Sequence, residues 1–232
     1  MQARIEHGSE RDQLGRPPRA ELWSVNPALL SIAILAAVAA AVIAVYVSGH
    51  QVIPQDVTLE DDVQSIGWGP LAMTFPIFSW IGDAKGAALE AVIFIAILIF
   101  NRRTWIFAAG ASLSAGWYVL ISHLVVRARP TTAQVLHVTE HPGGSSFPSG
   151  HTIFVATIVT VLMICFGHRF LPRWGRVVGW ILAVLITLAN GISRVYTGAH
   201  WPTDVLAAIL IATGWLCLWM SFRRVSGRAL ST

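Results

Sequence analysis

The chain has 232 residues and a formal net charge of +4, yet only 12% of its residues are charged while 55% are hydrophobic. A soluble domain carries roughly 25% charge, so much of this chain must face something other than water, and a bilayer is the fitting solvent. Its Lys and Arg residues sit at the ends of apolar runs or among a few outlying polar groups rather than on one wet face, which argues against a nucleic-acid partner.

Residues 1–26 are polar, with Glu6, Glu10, Asp12 and Glu21 among the arginines. No small-residue cleavage pattern follows them, so the first apolar run is expected to be a retained anchor rather than a signal peptide. A helix needs about 20 apolar residues to cross a bilayer. Six segments qualify, at about 28–47, 83–100, 104–126, 152–168, 177–192 and 201–220. The second reaches that length only if Lys85 snorkels to the interface. These spans predict an all-α, polytopic six-helix bundle over 27–221, followed by a tail, 222–232. The stretch Trp68–Trp80 is too short to cross and reads equally as an interfacial or re-entrant segment or as a loop on the bundle exterior. Cys165 and Cys217 lie inside apolar runs and read as buried hydrophobes, not as a disulfide framework.

Orientation follows from the basic residues near the span ends. Arg4, Arg11, Arg16, Arg19, Arg102, Arg103, Arg169, Arg173, Arg176, Arg223, Arg224 and Arg228 fall on one side. Only Lys85, Arg127, Arg129 and Arg194 fall on the other, beside Asp56, Glu60, Asp61, Asp62 and Asp83. Both termini are therefore expected in the cytoplasm of a cell-membrane protein.

Three of the outer cations stand out, because a charge at the membrane edge is costly unless paired or wetted. Arg127 and Arg129 follow the third span and Arg194 follows the fifth. His151 opens the fourth span, His200 opens the sixth, and Asp204 lies one turn later. Distant in sequence, these groups share one depth on one side. Pro148-Ser149-Gly150-His151 follows a turn-forming Gly-Gly-Ser-Ser run and begins a helix. Its unpaired backbone N–H groups offer an anion site, although Ser149 could equally be a simple cap. His200 and Asp204, four apart, share a helix face. The carboxylate could hold one ring nitrogen and leave the other nucleophilic, or the two could form a structural pair. Pro202 suits the opening of that helix, and Gly198 permits a sharp turn before it. Two histidines and an aspartate could also ligate a metal. No acidic cluster accompanies them, however, and the neighbouring arginines would repel a cation while gripping phosphate oxygens. No metal or other cofactor is expected.

Arg129-Pro130, then Pro148-Ser149-Gly150-His151, then Ser193-Arg194 with His200 and Asp204, resembles the type 2 phosphatidic acid phosphatase family, which shares its site with vanadium-dependent haloperoxidases. The resemblance extends over about residues 28–220 and implies six spans with the site on the non-cytoplasmic side. It implies that His200 is a nucleophile forming a phosphohistidine, that Asp204 orients it and that His151 protonates the leaving oxygen. Arg129, Arg194, Ser149 and the Gly150 N–H would hold the phosphate. Where the family carries a lysine seven residues before the Arg-Pro arginine, this chain has Ser122, which donates a hydrogen bond but no charge; Arg127 could supply the missing charge. The expected activity is metal-independent hydrolysis of a membrane lipid phosphate or polyprenyl diphosphate, with no obligate protein partner. The alternative is a non-catalytic phospholipid-binding or transport protein that retains the pocket.

Overall fold

A computed structural model describes residues 24–82 and 84–230. The expected cytoplasmic N-terminal segment thus lies almost wholly outside the described residues. Among those described, the architecture is all helical, with one isolated bridge between Val25 and Phe222.

The first long helix, α1 (Pro27–Gly49), is capped by the Asn26 side chain, which accepts from the Ala28 and Leu29 N–H groups, and has proline at its start, where no N–H is needed. A short polar helix, α2 (Pro54–Ser65), follows. A 3-10 turn over Gly69–Thr74 then leads into α3 (Phe75–Gly82), which packs on the bundle and buries Phe75. From Gly69 onward the segment Trp68–Trp80 is therefore helical and docked rather than an irregular loop. Next come α4 (Ala84–Phe100), α5 (Trp105–Ser112) and α6 (Ser114–Leu124). The fourth expected span is α7 (Gly150–Leu162), continued through a π turn at Met163–Gly167 to Phe170. The last two spans are α8 (Arg173–Tyr196) and α9 (Pro202–Ser221).

Among the described residues, five stretches are long and apolar enough to cross a membrane: Pro27–Gly49, Arg102–Leu124, Gly150–Phe170, Arg173–Tyr196 and Pro202–Ser221. The apolar part of α4, Gly86–Phe100, is shorter. Leu35, Val45, Val177 and Leu185 on α1 and α8 are more than half exposed, as expected of side chains that meet lipid tails rather than water. Within the bundle, α1 and α9 meet through small residues. Ala33, Ala36 and Ala40 are buried, and a Cβ on Gly214 would stand 3.3 Å from the Ala33 carbonyl oxygen. Such close backbone approach is the usual basis of helix association where lipid removes the hydrophobic drive.

The expected tail does not trail away. Residues Arg223–Leu230 form α10, which buries Val225 and Ala229 in a cluster with Ile97, Phe107 and Cys165. Asn26 N–H donates to Ser221 O, and Arg223 N–H to Ser24 O. The two described ends of the chain therefore lie side by side at one end of the bundle. The opposite end carries the loops 125–149 and 197–201, with α2 laid across them.

Candidate active site

At that opposite end, α7 and α9 begin and α6 and α8 finish, so residues far apart in sequence converge. One cavity of about 370 Å³ is lined by Arg129, Gly143, Gly150, His151 and His200, and by Tyr118 from α6. A Cβ on Gly150 would lie 2.9 Å from the Tyr118 ring, so any larger residue there would push that ring aside. Gly198 turns the chain toward His200 with φ of +69°, and a Cβ on it would strike the His137 carbonyl at 2.9 Å, so only glycine is unstrained there.

The two neighbours of the His200 ring fix its protonation. Nδ1 lies 2.6 Å from the Ser146 carbonyl oxygen, and Nε2 lies 3.3 Å from Arg129 Nη1. A carbonyl can only accept and a guanidinium can only donate. Nδ1 therefore carries the hydrogen, and Nε2 presents its lone pair. Burial, then the positive charge of Arg129, push the His200 pKa well below the ordinary 6.5, which keeps the ring neutral.

Arg129 is held in place by carbonyls. Its Nη1 donates to Ala199 O at 2.6 Å and its Nη2 to Ser145 O at 2.9 Å and Gly143 O at 3.2 Å. Its Nε–H is buried and makes no hydrogen bond among the described residues. Desolvation lowers its pKa from the usual value, a cost that an arriving anion would offset.

Three expected roles change. Asp204 Oδ2 is 3.9 Å from His200 Nδ1, too far for a hydrogen bond. The carboxylate instead accepts from Arg127 Nη1 at 2.6 Å, from the Trp201 N–H at 3.0 Å and from the Ser146 hydroxyl. It reaches the histidine ring through Ser146. His200 precedes Trp201, the N-cap of α9, so the two do not share a helix face, and the Ser146 carbonyl holds the ring instead. Arg127 is not a phosphate ligand. It is 1% exposed and bridges Asp56 at 2.7 Å and Asp204 at 2.6 Å, with Thr203 Oγ1 a further acceptor at 2.7 Å. Ser122 also falls outside the site: its hydroxyl donates to Val119 O on the α6 surface and does not line the cavity.

Arg194 is fully buried, with Nη1 2.8 Å from Glu140 Oε2 and Nη2 2.7 Å from Ser193 Oγ. Ser149 is the N-cap of α7 but makes no side-chain cap bond; its hydroxyl meets Thr152 Oγ1 at 2.9 Å, and its N–H donates to Asp204 O at 3.3 Å. The first turn of α7 therefore receives no side-chain cap beside the cavity. No group of three or more His, Cys, Asp or Glu with metal-binding geometry occurs among the described residues.

Sequence reasoning passed over Ser146 and Asp56. Ser146 looks like one more turn residue in Gly143-Gly144-Ser145-Ser146. Asp56 reads as one of several outer acids, although the i, i+4 spacing of Asp56, Glu60 and Gln64 marks one face of α2, and all three are buried.

The PAP2 superfamily profile matches residues 103–228, more than half of the chain. The chain belongs to the PAP2 superfamily. It is 31% identical to an undecaprenyl-diphosphatase of Bacillus subtilis over 53% of this chain and 61% of that protein. It is 43% identical to phosphatidylglycerophosphatase B of Haemophilus influenzae over 37% of this chain and 35% of that protein. The chain thus matches only about a third to three-fifths of these curated relatives' lengths. The crystal structure of a transmembrane PAP2-type phosphatidylglycerolphosphate phosphatase from Bacillus subtilis superposes with a TM-score of 0.65. That superposition covers 84% of this chain and 94% of that one at 22% identity, and it shows a common fold. This PAP2 chain is an integral membrane protein, and its matched region contains both histidines and Arg129, Arg194 and Asp204.

Proposed function

We propose that the chain is a metal-independent phosphatase that hydrolyses a membrane lipid phosphate through a phosphohistidine on His200. The observation that carries this reading is the enforced tautomer. Ser146 O and Arg129 Nη1 leave His200 Nε2 as an unprotonated nucleophile in the cavity that also holds His151.

Substrate phosphate enters with its oxygens toward the Arg129 guanidinium and the uncapped first turn of α7, which supply the charge stabilisation a phosphoryl transfer needs. Nε2 attacks phosphorus as the bond to the leaving oxygen breaks, and His151 gives that oxygen its proton. Water then attacks the phosphohistidine, His151 takes the water's proton, the P–N bond breaks and inorganic phosphate leaves. The names of the relatives support lipid and polyprenyl phosphates as the substrate class. The Lys and Arg distribution supports a site on the outer face of the cell membrane with both termini in the cytoplasm. The lipid bilayer, as the medium that delivers the substrate, is then the one partner required.

The test is phosphate release by detergent-purified protein from a lipid-phosphate panel, with and without EDTA. Turnover should survive EDTA, and protein quenched in alkaline detergent should carry an acid-labile, base-stable phosphoryl group that His200→Ala lacks. Near-normal turnover by folded His200→Ala protein would overturn the assignment.

A further inference from the structure

The cavity does not end at the two histidines. It runs on between α4, α6 and α7 to a polar patch formed by Glu90, Ser112, Ser114 and Thr157. Ser114 and Thr157 share a hydroxyl–hydroxyl bond of 3.1 Å, and the Ser112 hydroxyl donates to Ala108 O. Glu90 is different. It is the single acidic residue of α4, and its carboxylate makes no hydrogen bond or ion pair among the described residues. An ionisable group in an apolar helix at this depth is costly unless it faces water or a ligand, and Glu90 faces the cavity.

A carboxylate repels phosphate oxygens, so the phosphoryl group belongs on Arg129 and Glu90 has another client. In an in-line displacement the leaving oxygen departs on the side away from His200 Nε2, where His151 must protonate it. The atoms that follow that oxygen need room beyond His151, and the same cavity extends to Glu90. There a carboxylate accepts hydrogen bonds from hydroxyl groups and disfavours a second phosphate. Ser122, turned to the α6 surface, adds no cation to balance a diphosphate.

We propose, on the footing of the phosphatase reading above, that Glu90 forms a leaving-group subsite that selects a phosphate monoester carrying a neighbouring hydroxyl over a polyprenyl diphosphate. The test compares kcat/KM of the purified full chain for three probes. These are lysophosphatidate, whose glycerol keeps a free hydroxyl beside the phosphoester, the analogue with that hydroxyl replaced by hydrogen, and farnesyl diphosphate. Wild type should favour lysophosphatidate over the analogue by about tenfold or more, as a hydrogen bond to a charged acceptor predicts. Glu90→Ala should bring that ratio to within about twofold. Glu90→Gln, isosteric and still an acceptor, should keep part of the ratio while raising farnesyl diphosphate turnover relative to lysophosphatidate. It also carries the test if the alanine variant does not fold. A wild-type ratio near one, or a ratio that neither variant moves, overturns the subsite alone. Failure of folded wild type to turn over any probe overturns the phosphatase reading and the subsite with it.

Discussion

Arg127 Nη1 stands 2.6 Å from Asp204 Oδ1 at a point where neither side chain is exposed. The same guanidinium reaches Asp56 through Nη2 at 2.7 Å, and Asp56 also accepts from the Thr203 N–H and hydroxyl. One cation thus ties α2 and the loop before α7 to the first turn of α9, the turn that follows His200. Removing one partner of a buried pair leaves the other charge uncompensated, at a cost of about 3–5 kcal/mol. Asp56→Ala should therefore lower the thermal midpoint of detergent-solubilised protein sharply, although Asp56 does not line the cavity. A midpoint within a degree or two of wild type would show that Arg127 is satisfied by Asp204 alone.

Ser146 connects that scaffold to the nucleophile: its hydroxyl bonds Asp204 and its carbonyl holds His200 Nδ1. Ser146→Ala keeps the carbonyl but frees it to shift, so kcat should fall by about tenfold, the equivalent of one hydrogen bond, with KM little changed. The double variant with Asp204→Asn should cost less than the sum of the two single changes, because both act along one chain of contacts. Additive losses would mean that Asp204 influences His200 independently of Ser146.

The depressed pKa of His200 sets the acid side of the rate profile. Its reactive form is neutral, and burial together with Arg129 keeps it neutral to well below pH 6.5. The acid limb of kcat/KM, which reports the free enzyme, should lie below pH 6.5. A limb above that value that disappears in no His151 variant would contradict the tautomer assigned here.

Glu60 provides a separate pH dependence, in stability rather than rate. It is fully buried on α2, neither carboxylate oxygen is hydrogen-bonded among the described residues, and burial, then the Asp56 charge, raise its pKa from 4.5 to about 9. The folded state holds this proton more tightly than the unfolded state. The stabilisation is therefore complete below pH 4.5 and is lost as pH rises toward 9, by at most about 1.4 kcal/mol per pH unit. Glu60→Gln should flatten the stability profile between those limits. Thermal melts across that range check it, and an equal slope in both proteins would place the titration elsewhere.

The helical plan was legible because apolar runs of bilayer length leave few alternatives. Its exceptions have local causes. The third span is broken at Leu113 into α5 and α6, and the tail residues Val225 and Ala229 find a buried niche beside Phe107. The convergence of His151, His200 and Arg129 could be read from their common depth. The partners of Asp204 could not. A spacing of four places two side chains on one face only inside a helix, and His200 lies before the N-cap of α9, while Ser146 comes from a loop whose path no periodicity specifies. Arg127, two residues from Arg129, is expected from the sequence to make up the charge missing at Ser122. In an extended segment, alternate residues tend toward the same face, yet the Asp56 carboxylate captures one arginine and leaves the other for the cavity.

Arg194 gives the last prediction. Its Nη1 contacts Glu140 Oε2 at 2.8 Å, and the Glu140 side chain retains 27% exposure while Arg194 is buried. A carboxylate on a guanidinium has nearly the geometry of a phosphate edge, since both offer paired oxygens to paired N–H donors. Arg194 and Glu140 do not line the cavity, so an anion that is to bind Arg194 Nη1 must displace the Glu140 carboxylate from it. The Glu140 loop is tethered to the chain before His200 by the Thr139 N–H to Thr197 O at 2.9 Å, so release of the carboxylate need not free the whole loop. Glu140→Gln weakens the competitor without shortening it. Inhibition by inorganic phosphate or vanadate should tighten by about tenfold, the equivalent of one charge-assisted bond, and KM for a lipid phosphate should fall in parallel. Weaker inhibition in Glu140→Gln protein would reverse the roles, making Glu140 the residue that positions Arg194 for the anion rather than the one that must give way to it.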